Sequence, residues 1–159
     1  MLMMLNDRNK KALGIDFGLK RIGMSLSDDT QTIAFPLKYI LNDSVKKTVS
    51  ELKKVIEEEN VGLLVIGMPI GLKGKKTEIS TEIGKLIEVL KESLKEKIGD
   101  GLILTVYDER FSSVQAQRSL IEQNIKRNKR KEKIDSIAST FILQSYLDKQ
   151  KNIIEKKIF

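Results

Sequence analysis

The sequence predicts an α/β fold in which a mixed five-stranded sheet is flanked by helices. Three observations lead to this prediction: short extended patterns open the chain, a continuous apolar run at 61–67 is typical of a strand buried on both faces, and apolar residues recur at helical spacing between the later strands. A chain of 159 residues can bury one core. We expect a single domain over residues 1–159, with 1–10 as a flexible or short extra segment.

The predicted elements follow the order β-β-β-α-β-α-β-α-α. Strands are expected over 12–18, 22–27, 32–40, 61–67 and 102–108, and helices over 43–59, 77–97, 112–124 and 134–149. A turn at 18–21 separates the first two strands, and Pro36 favours an edge position for the third. Asp43 or Ser44 suits the N-cap of the first helix. We expect the leading strands to form an antiparallel meander and β-α-β crossovers to add parallel strands.

Apolar spacing defines the buried face of each helix. The expected core positions are Val45, Val49, Leu52, Val55 and Ile56 in the first helix, and Ile79, Ile83, Leu86, Ile87, Leu90 and Leu94 in the second. In the last helix, a stripe of Ile134, Ile137, Ala138, Phe141 and Ser145 leaves Asp135 at its margin. The small Ala138 and Ser139 are expected to let this helix approach the sheet closely.

Composition limits the class of protein. The chain has 29 Lys and Arg against 22 Asp and Glu, a net charge of +7, and no His or Cys, which excludes disulfides and thiol catalysis. No apolar run approaches the length of about 20 residues that a membrane helix needs. The apolar start at 1–5 is short, and its charged residues come after it, whereas a signal peptide carries its positive charge before the apolar stretch. We therefore expect a cytoplasmic protein.

A basic run indicates a polyanionic partner. Lysine-rich surfaces often serve solubility alone, but six basic residues at 126–133 are clustered against one acid, enough to contact several phosphates. The nucleic-acid contacts predicted in and near this run are Lys126, Arg127, Lys129, Arg130 and Lys131. A glycine-rich loop at 67–76 is a further candidate through Lys73 and Lys75, although it lacks P-loop spacing and an ordinary connecting loop would look the same.

Three acids occupy positions where local structure explains a carboxylate poorly. Asp16 interrupts an apolar strand pattern, Glu109 closes another, and Asp135 opens the apolar pattern of the last helix. Such groups are costly to bury unless a positive charge compensates them. Without His or Cys, converging carboxylates suit Mg²⁺ or Mn²⁺ rather than Zn²⁺ or copper. We therefore expect these three acids to be the metal ligands and catalytic residues of a phosphodiesterase.

Each acid also has an ordinary explanation: Asp16 as a turn residue, Glu109 as a solvated strand end beside Arg110, and Asp135 as a first-turn acid facing the helix dipole. Gly14 and Gly18 favour the functional interpretation of Asp16, because they are expected to leave the sheet face around it open to a metal or phosphate. Strand alternation is expected to direct Glu109 to one face and Asp108 to the other.

Five segments resemble the YqgF family of bacterial pre-16S rRNA nucleases, also called RuvX-type Holliday junction resolvases. They are Gly-Ile-Asp-Phe-Gly with Arg-Ile-Gly at 14–23, Gly-Met-Pro at 67–69, Asp-Glu-Arg-Phe-Ser-Ser at 108–113, Ile-Asp-Ser-Ile-Ala at 134–138, and Ile-Leu-Gln-Ser-Tyr-Leu at 142–147. The match covers nearly the whole chain in order. It implies a ribonuclease H-like fold, catalytic acids at Asp16, Glu109 and Asp135, and cytoplasmic maturation of the 5′ end of the small-subunit rRNA.

Two departures from the family pattern stand out. Gly-Leu-Lys-Gly occupies 71–74 where the family usually has Asn-Met-acid-Gly, and Ser139 replaces the second of two alanines. The first leaves the substrate contacts of that loop open, and the second conserves size.

The expected mechanism is two-metal hydrolysis of a phosphodiester, with Asp16 bridging two Mg²⁺ or Mn²⁺ ions. Lys20, Arg21, Arg110 and the basic run would hold phosphates of structured or precursor RNA, with branched DNA and ribosomal pre-particles as further possible partners and no membrane. Alternatives stay open: a four-way DNA junction resolvase, a non-catalytic RNA-binding assembly factor, and a sugar-kinase-like phosphotransferase, for which the chain is short. The sequence is compatible with a monomer or a weak homodimer.

Overall fold

A computed structural model describes residues 10–69, 78–109 and 130–158, with the side chains of 130–135 and 155–158 outside the described part. The strands are β1 (Lys11–Phe17), β2 (Arg21–Ser27), β3 (Ala34–Leu41), β4 (Val61–Met68) and β5 (Ile103–Asp108). The helices are α1 (Val45–Glu58), α2 (Glu78–Ser93), α3 (Lys95–Gly99) and α4 (Arg130–Ile158). The predicted helix at 112–124 lies outside the described residues.

The five strands form one mixed sheet in the order β3-β2-β1-β4-β5. β1 pairs antiparallel with β2, and β2 pairs antiparallel with β3, which confirms the predicted meander. β4 and β5 join the other side of β1 in parallel, as two crossover connections require. Pro36 lies in β3, an edge strand, where its missing N–H costs no ladder hydrogen bond.

Alternation along the strands divides the core into two layers. On one face, Leu13 and Ile15 pack with the buried stripes of α1 and α2, and all the predicted core positions of those helices are buried or packed against this cluster. On the other face, Ala12 and Val65 pack against α4. Ser44 caps α1 by accepting a hydrogen bond from the Lys47 N–H at 3.2 Å, as one of the two predicted caps.

Two helices differ from their predicted extents. The helix expected over 77–97 divides near Leu94 into α2 and the short α3. Helix α4 begins before and ends well after the predicted 134–149, because its flanking segments contain Lys, Arg and Glu with no Gly or Pro to stop the helix. No helix within the described residues combines the length and apolarity needed to cross a membrane.

Candidate functional site

Asp16 lies near the carboxyl end of β1 on the face that α4 covers. Leu13 and Ile15 belong to the opposite core layer, so alternation places Asp16 on the same face as Ala12 and Gly14. Asp16 is 7% exposed. A carboxylate this deeply buried, in the central strand of the sheet, is consistent with compensation by a bound cation.

Glu109 approaches the same place from β5. It follows directly after the strand, is 8% exposed, and has its Oε1 atom almost fully buried. That atom lies 3.0 Å from where a Cβ on Gly67 would be, and Gly67 pairs with Asp16 across the β1–β4 ladder. Because paired residues of neighbouring strands are about 4.8 Å apart, the two carboxylates flank one glycine at the same edge of the sheet.

Helix α4 is held against this face by small residues. The Ser25 hydroxyl donates to the Ser139 carbonyl at 2.9 Å and lies 2.9 Å from the Ser139 hydroxyl, with both serines fully buried. A side chain on Gly14 would collide with Leu143 Cβ at 2.8 Å and with the Ser139 carbonyl at 3.3 Å. The close approach of helix and sheet predicted from Ser139 is confirmed.

The direction of α4 brings its first turns toward Asp16. Gln144 bonds the Thr32 carbonyl and the Ala34 N–H at 2.9 Å each, at the far end of the β2–β3 pair, whereas Ser139 contacts Ser25. Four residues of helix rise about 6 Å, close to the 6.7 Å or so that two strand residues span. The backbone of Asp135, four residues before Ser139, therefore continues toward the level of Asp16.

The β1–β2 hairpin projects from the same end of the sheet. Lys20 is exposed at its tip. Arg21 packs its guanidinium over the Tyr39 ring, with Cζ 5.4 Å from the ring centroid. Asn42 fixes the tip by donating to the Gly18 carbonyl at 3.0 Å, and its own N–H donates to the Lys20 carbonyl at 2.9 Å.

Comparison with known proteins identifies the family. A family model described as "RuvX: Holliday junction resolvase" matches residues 10–149. This chain belongs to the RuvX family. Two relatives, from Thermoanaerobacter pseudethanolicus and a Sulfurihydrogenibium species, both carry the name "Putative pre-16S rRNA nuclease". The first is 39% identical over 89% of this chain and 99% of its own length, and the second is 40% identical over 87% and 90%.

Solved structures that share this fold include junction resolvases. Thermus thermophilus RuvC in complex with a Holliday junction substrate has a TM-score of 0.58 at 13% identity, covering 89% of this chain and 95% of that one. The fowlpox virus resolvase in complex with Holliday junction DNA has a TM-score of 0.53 at 16% identity, covering 88% and 98%. At these identities the likeness concerns the fold, and the ribonuclease H-like fold expected from the sequence is confirmed.

Several of the predicted site residues lie outside the described part of the chain. Those wholly outside are Lys73, Lys75, Arg110, Lys126, Arg127 and Lys129. Asp135, Arg130 and Lys131 belong to α4, but their side chains are outside it as well. Asp16, Glu109, Lys20 and Arg21 are described, and of these the first two are brought together while the last two lie on the neighbouring hairpin.

One detail of the sequence interpretation was wrong, and two further glycine and helix positions complete the comparison. Gly14 does not open the face around Asp16 to a ligand, because Leu143 and the Ser139 backbone of α4 fill that space. Gly67 lies within β4, as the predicted strand over 61–67 has it, and its missing side chain makes room for Glu109 and for Ile142. The α4 stripe that packs on the sheet is centred on Ala138, Ser139, Ile142 and Leu143, and the predicted position of Asp135 at its margin concerns a side chain outside the described part.

The donor set fits a hard divalent cation. The two described side chains offer only carboxylate oxygens, which Mg²⁺ and Mn²⁺ prefer, and both are buried where a bound cation would offset their desolvation. Among the described side chains no three Asp, Glu, His or Cys form a metal-ligating group. A third acid would have to come from a part of the chain such as Asp135, whose side chain is not described.

Gly67 and Tyr39 are the residues of this region that sequence reasoning missed. A glycine inside an otherwise continuous apolar strand is a recognised signal of close approach by another group, and that signal was available at Gly67. The contact of Tyr39 with Arg21 depends on the pairing register of β2 and β3, which no sequence pattern indicates.

Proposed function

We propose that the protein is a divalent-metal-dependent nuclease that hydrolyses phosphodiester bonds in the 5′-end maturation of pre-16S rRNA. The observation that carries this proposal is the convergence of two buried carboxylates, Asp16 and Glu109, beside Gly67 at one edge of the sheet. The name that both relatives carry, "Putative pre-16S rRNA nuclease", supports the substrate.

Asp16, Glu109 and Asp135 would hold the metal. Bound there, Mg²⁺ or Mn²⁺ would supply a nucleophilic water at neutral pH and stabilise charge on the leaving oxygen. The chain contributes the positions of these acids: Asp16 is fixed in the central strand, Gly67 leaves space for Glu109, and the Ser25–Ser139 contact docks the helix that bears Asp135. A chain without His has no imidazole to serve as general base.

Basic side chains would hold the nucleic acid across the site. Lys20 and Arg21 project on the adjacent hairpin, and Arg110, Lys73, Lys75 and the basic run at 126–133 are proposed to contact flanking phosphates. The net charge of +7 supports binding to a polyanion.

A four-way DNA junction is the second candidate substrate. The description of the RuvX family model names Holliday junction resolution, and the solved structures of this fold include resolvases bound to such junctions. Paired cuts across a junction require two active sites, so this activity would need a dimer, whereas trimming an RNA end would not.

The test compares wild-type protein with Asp16→Asn on a labelled precursor segment from the 5′ side of 16S rRNA and on a labelled four-way junction, each with Mg²⁺, Mn²⁺ or EDTA. We expect metal-dependent RNA cleavage that the substitution abolishes. Paired junction cuts without RNA cleavage would favour the second candidate. Cleavage of neither substrate, with RNA still bound, would overturn the nuclease in favour of an RNA-binding assembly factor.

A further inference from the structure

The end of the β-hairpin and the end of β3 together form a surface we call the hairpin ledge, made of Leu19, Lys20, Arg21, Tyr39 and Leu41. Arg21 pairs with Leu41 in the β2–β3 ladder, and Tyr39 precedes Leu41 by two residues, which puts the three side chains on one face. Within this group the Arg21 guanidinium lies over the Tyr39 ring, with its Cζ atom 5.4 Å from the ring centroid. The ledge is therefore a cation and an aromatic ring bordered by leucine.

The ledge lies beside the candidate site on the same face of the sheet. Arg21 and Gly23 alternate with Ile22, which belongs to the opposite core layer, and Gly23 pairs with Asp16. β3 is two strands from β1, so the backbone of the ledge is about 10 Å from that of Asp16. A nucleic-acid strand with a phosphate at Asp16 would place a neighbouring nucleotide over β2 and β3.

The ledge is braced by backbone contacts. Asn42 follows β3 and donates hydrogen bonds to the carbonyls of Gly18 and Lys20. These bonds connect the hairpin tip to the end of β3. A side chain on Gly18 would collide with the Arg21 carbonyl, so the turn is tight. A surface fixed in this way loses little conformational freedom when a ligand binds it.

The chemistry of the ledge matches an unpaired nucleotide. Leu19 is 59% exposed and Leu41 is 58% exposed, so the ledge presents apolar surface beside its charged side chains. Bases of single-stranded nucleic acid stack on aromatic rings and guanidinium planes, while in-plane N–H donors of Arg and the Lys ammonium bind phosphates. The two leucines add an apolar border to the Arg–Tyr pair, against which the edge of a base can pack.

We infer that the hairpin ledge binds an unpaired nucleotide next to the scissile phosphate, with Tyr39 and Arg21 contacting its base and Lys20 its phosphate. This inference rests on the proposed nuclease function, which it deepens by naming the substrate class. The site selects a strand that is single-stranded on one side of the cleaved bond, because a base paired in a duplex keeps its faces covered by its neighbours in the stack.

The test measures binding and cleavage separately. Binding is measured in the Asp16→Asn background, with an oligonucleotide stem carrying an unpaired extension and with the same stem blunt-ended. A 2-aminopurine in the extension reports stacking by its fluorescence. We expect Tyr39→Ala to weaken binding of the extended stem at least about fivefold, to abolish the fluorescence change, and to leave the blunt stem within about twofold.

Matched variants separate stacking from structure. Tyr39→Phe keeps the ring and is expected to bind like the parent. Phe35, an exposed aromatic residue on the opposite face of β3, provides the control, and Phe35→Ala is expected to leave both affinities unchanged. If Tyr39→Ala weakens binding of both stems equally, or weakens neither, the proposal that the hairpin ledge binds an unpaired nucleotide is overturned.

The two proposals fail in distinguishable ways. If binding of the extended stem depends on Tyr39 but the wild-type protein cleaves nothing, the hairpin ledge is retained as a nucleotide site and the nuclease function is rejected. The alternative result is that the wild-type protein cleaves in a metal-dependent way and that Tyr39→Ala affects cleavage of extended and blunt substrates equally. That result would retain the nuclease and reject the hairpin ledge as a nucleotide site.

Discussion

At the scale of single residues, Gly67 links the stability of the sheet to the position of Glu109. A Cβ at this position would lie 2.8 Å from Ile142 Cδ1 and 3.0 Å from Glu109 Oε1. Both distances are shorter than an unstrained contact, so the Glu109 carboxylate and the end of the Ile142 side chain have to shift. The residue therefore matters for the geometry of the candidate site although it has no side chain of its own.

We expect Gly67→Ala to lower the free energy of unfolding by about 1–3 kcal/mol through overpacking, and to reduce cleavage more than this loss explains. Denaturant unfolding and single-turnover cleavage measure the two effects. Gly84→Ala is the control, because a Cβ there meets nothing within 4 Å in helix α2, and we expect it to stabilise by about 0.5–1 kcal/mol with normal cleavage. A fully active Gly67→Ala protein would contradict the role assigned to Glu109.

Hydrogen bonds to the Asp28 carboxylate stabilise the loop before β3 in a pH-dependent way. Hydrogen bonds from the Ile33 N–H, the Thr30 hydroxyl and the Thr32 N–H lower the pKa of this carboxyl to about 2 from 3.8. Its contribution to stability is therefore complete above the ordinary value and is lost as the pH falls through about 2. The contribution is modest, because the group is exposed.

Asp28→Asn should therefore be less stable than wild type at neutral pH, and the difference should shrink as the pH is lowered toward 2. Urea unfolding of both proteins at a series of pH values measures it. A difference that stays constant down to the lowest pH at which the protein folds would show that the charge of Asp28 is not what holds the loop.

At the scale of elements, the docking of α4 on the sheet decides where its first turns lie. Ser25 and Ser139 make a fully buried polar contact beside the packing of Gly14 against Leu143. Ser25→Ala removes the donor to a buried carbonyl, and we expect a loss of about 1–3 kcal/mol in the free energy of unfolding. Ser93→Ala, at the exposed end of α2, should change it by less than about 0.5 kcal/mol. Equal effects of the two substitutions would show that the serine contact is not structural.

The sequence predicted this architecture well because alternation and helical spacing are local signals. The register of β1 on β4 is not local, and it is what brings Asp16 and Glu109 to the two sides of Gly67. Likewise, the spacing in the last helix predicted a helix, but its orientation on the sheet depends on where small residues such as Gly14 and Ser139 permit contact. Strand and helix patterns therefore identified the candidate acids, and tertiary packing was needed to bring Asp16 and Glu109 together.

At the scale of the whole molecule, a net charge of +7 predicts salt-sensitive binding of nucleic acid. We expect the affinity for RNA to fall at least about tenfold between about 50 and about 200 mM salt, because several phosphate contacts release counterions. Fluorescence anisotropy in the Asp16→Asn background measures this without cleavage. Affinity that does not change with salt would exclude the basic surface as the main binding contact.

The central claim is that Asp16 and Glu109 act as one metal-dependent site, and cleavage by Asp16→Asn, Glu109→Gln and the double variant tests it most directly. Asp108→Asn is the control, because strand alternation places that acid on the opposite face. We predict that each single substitution lowers metal-dependent cleavage at least about a hundredfold, that the double variant is little worse, and that the control stays active. Metal-dependent cleavage that survives either single substitution would contradict the claim.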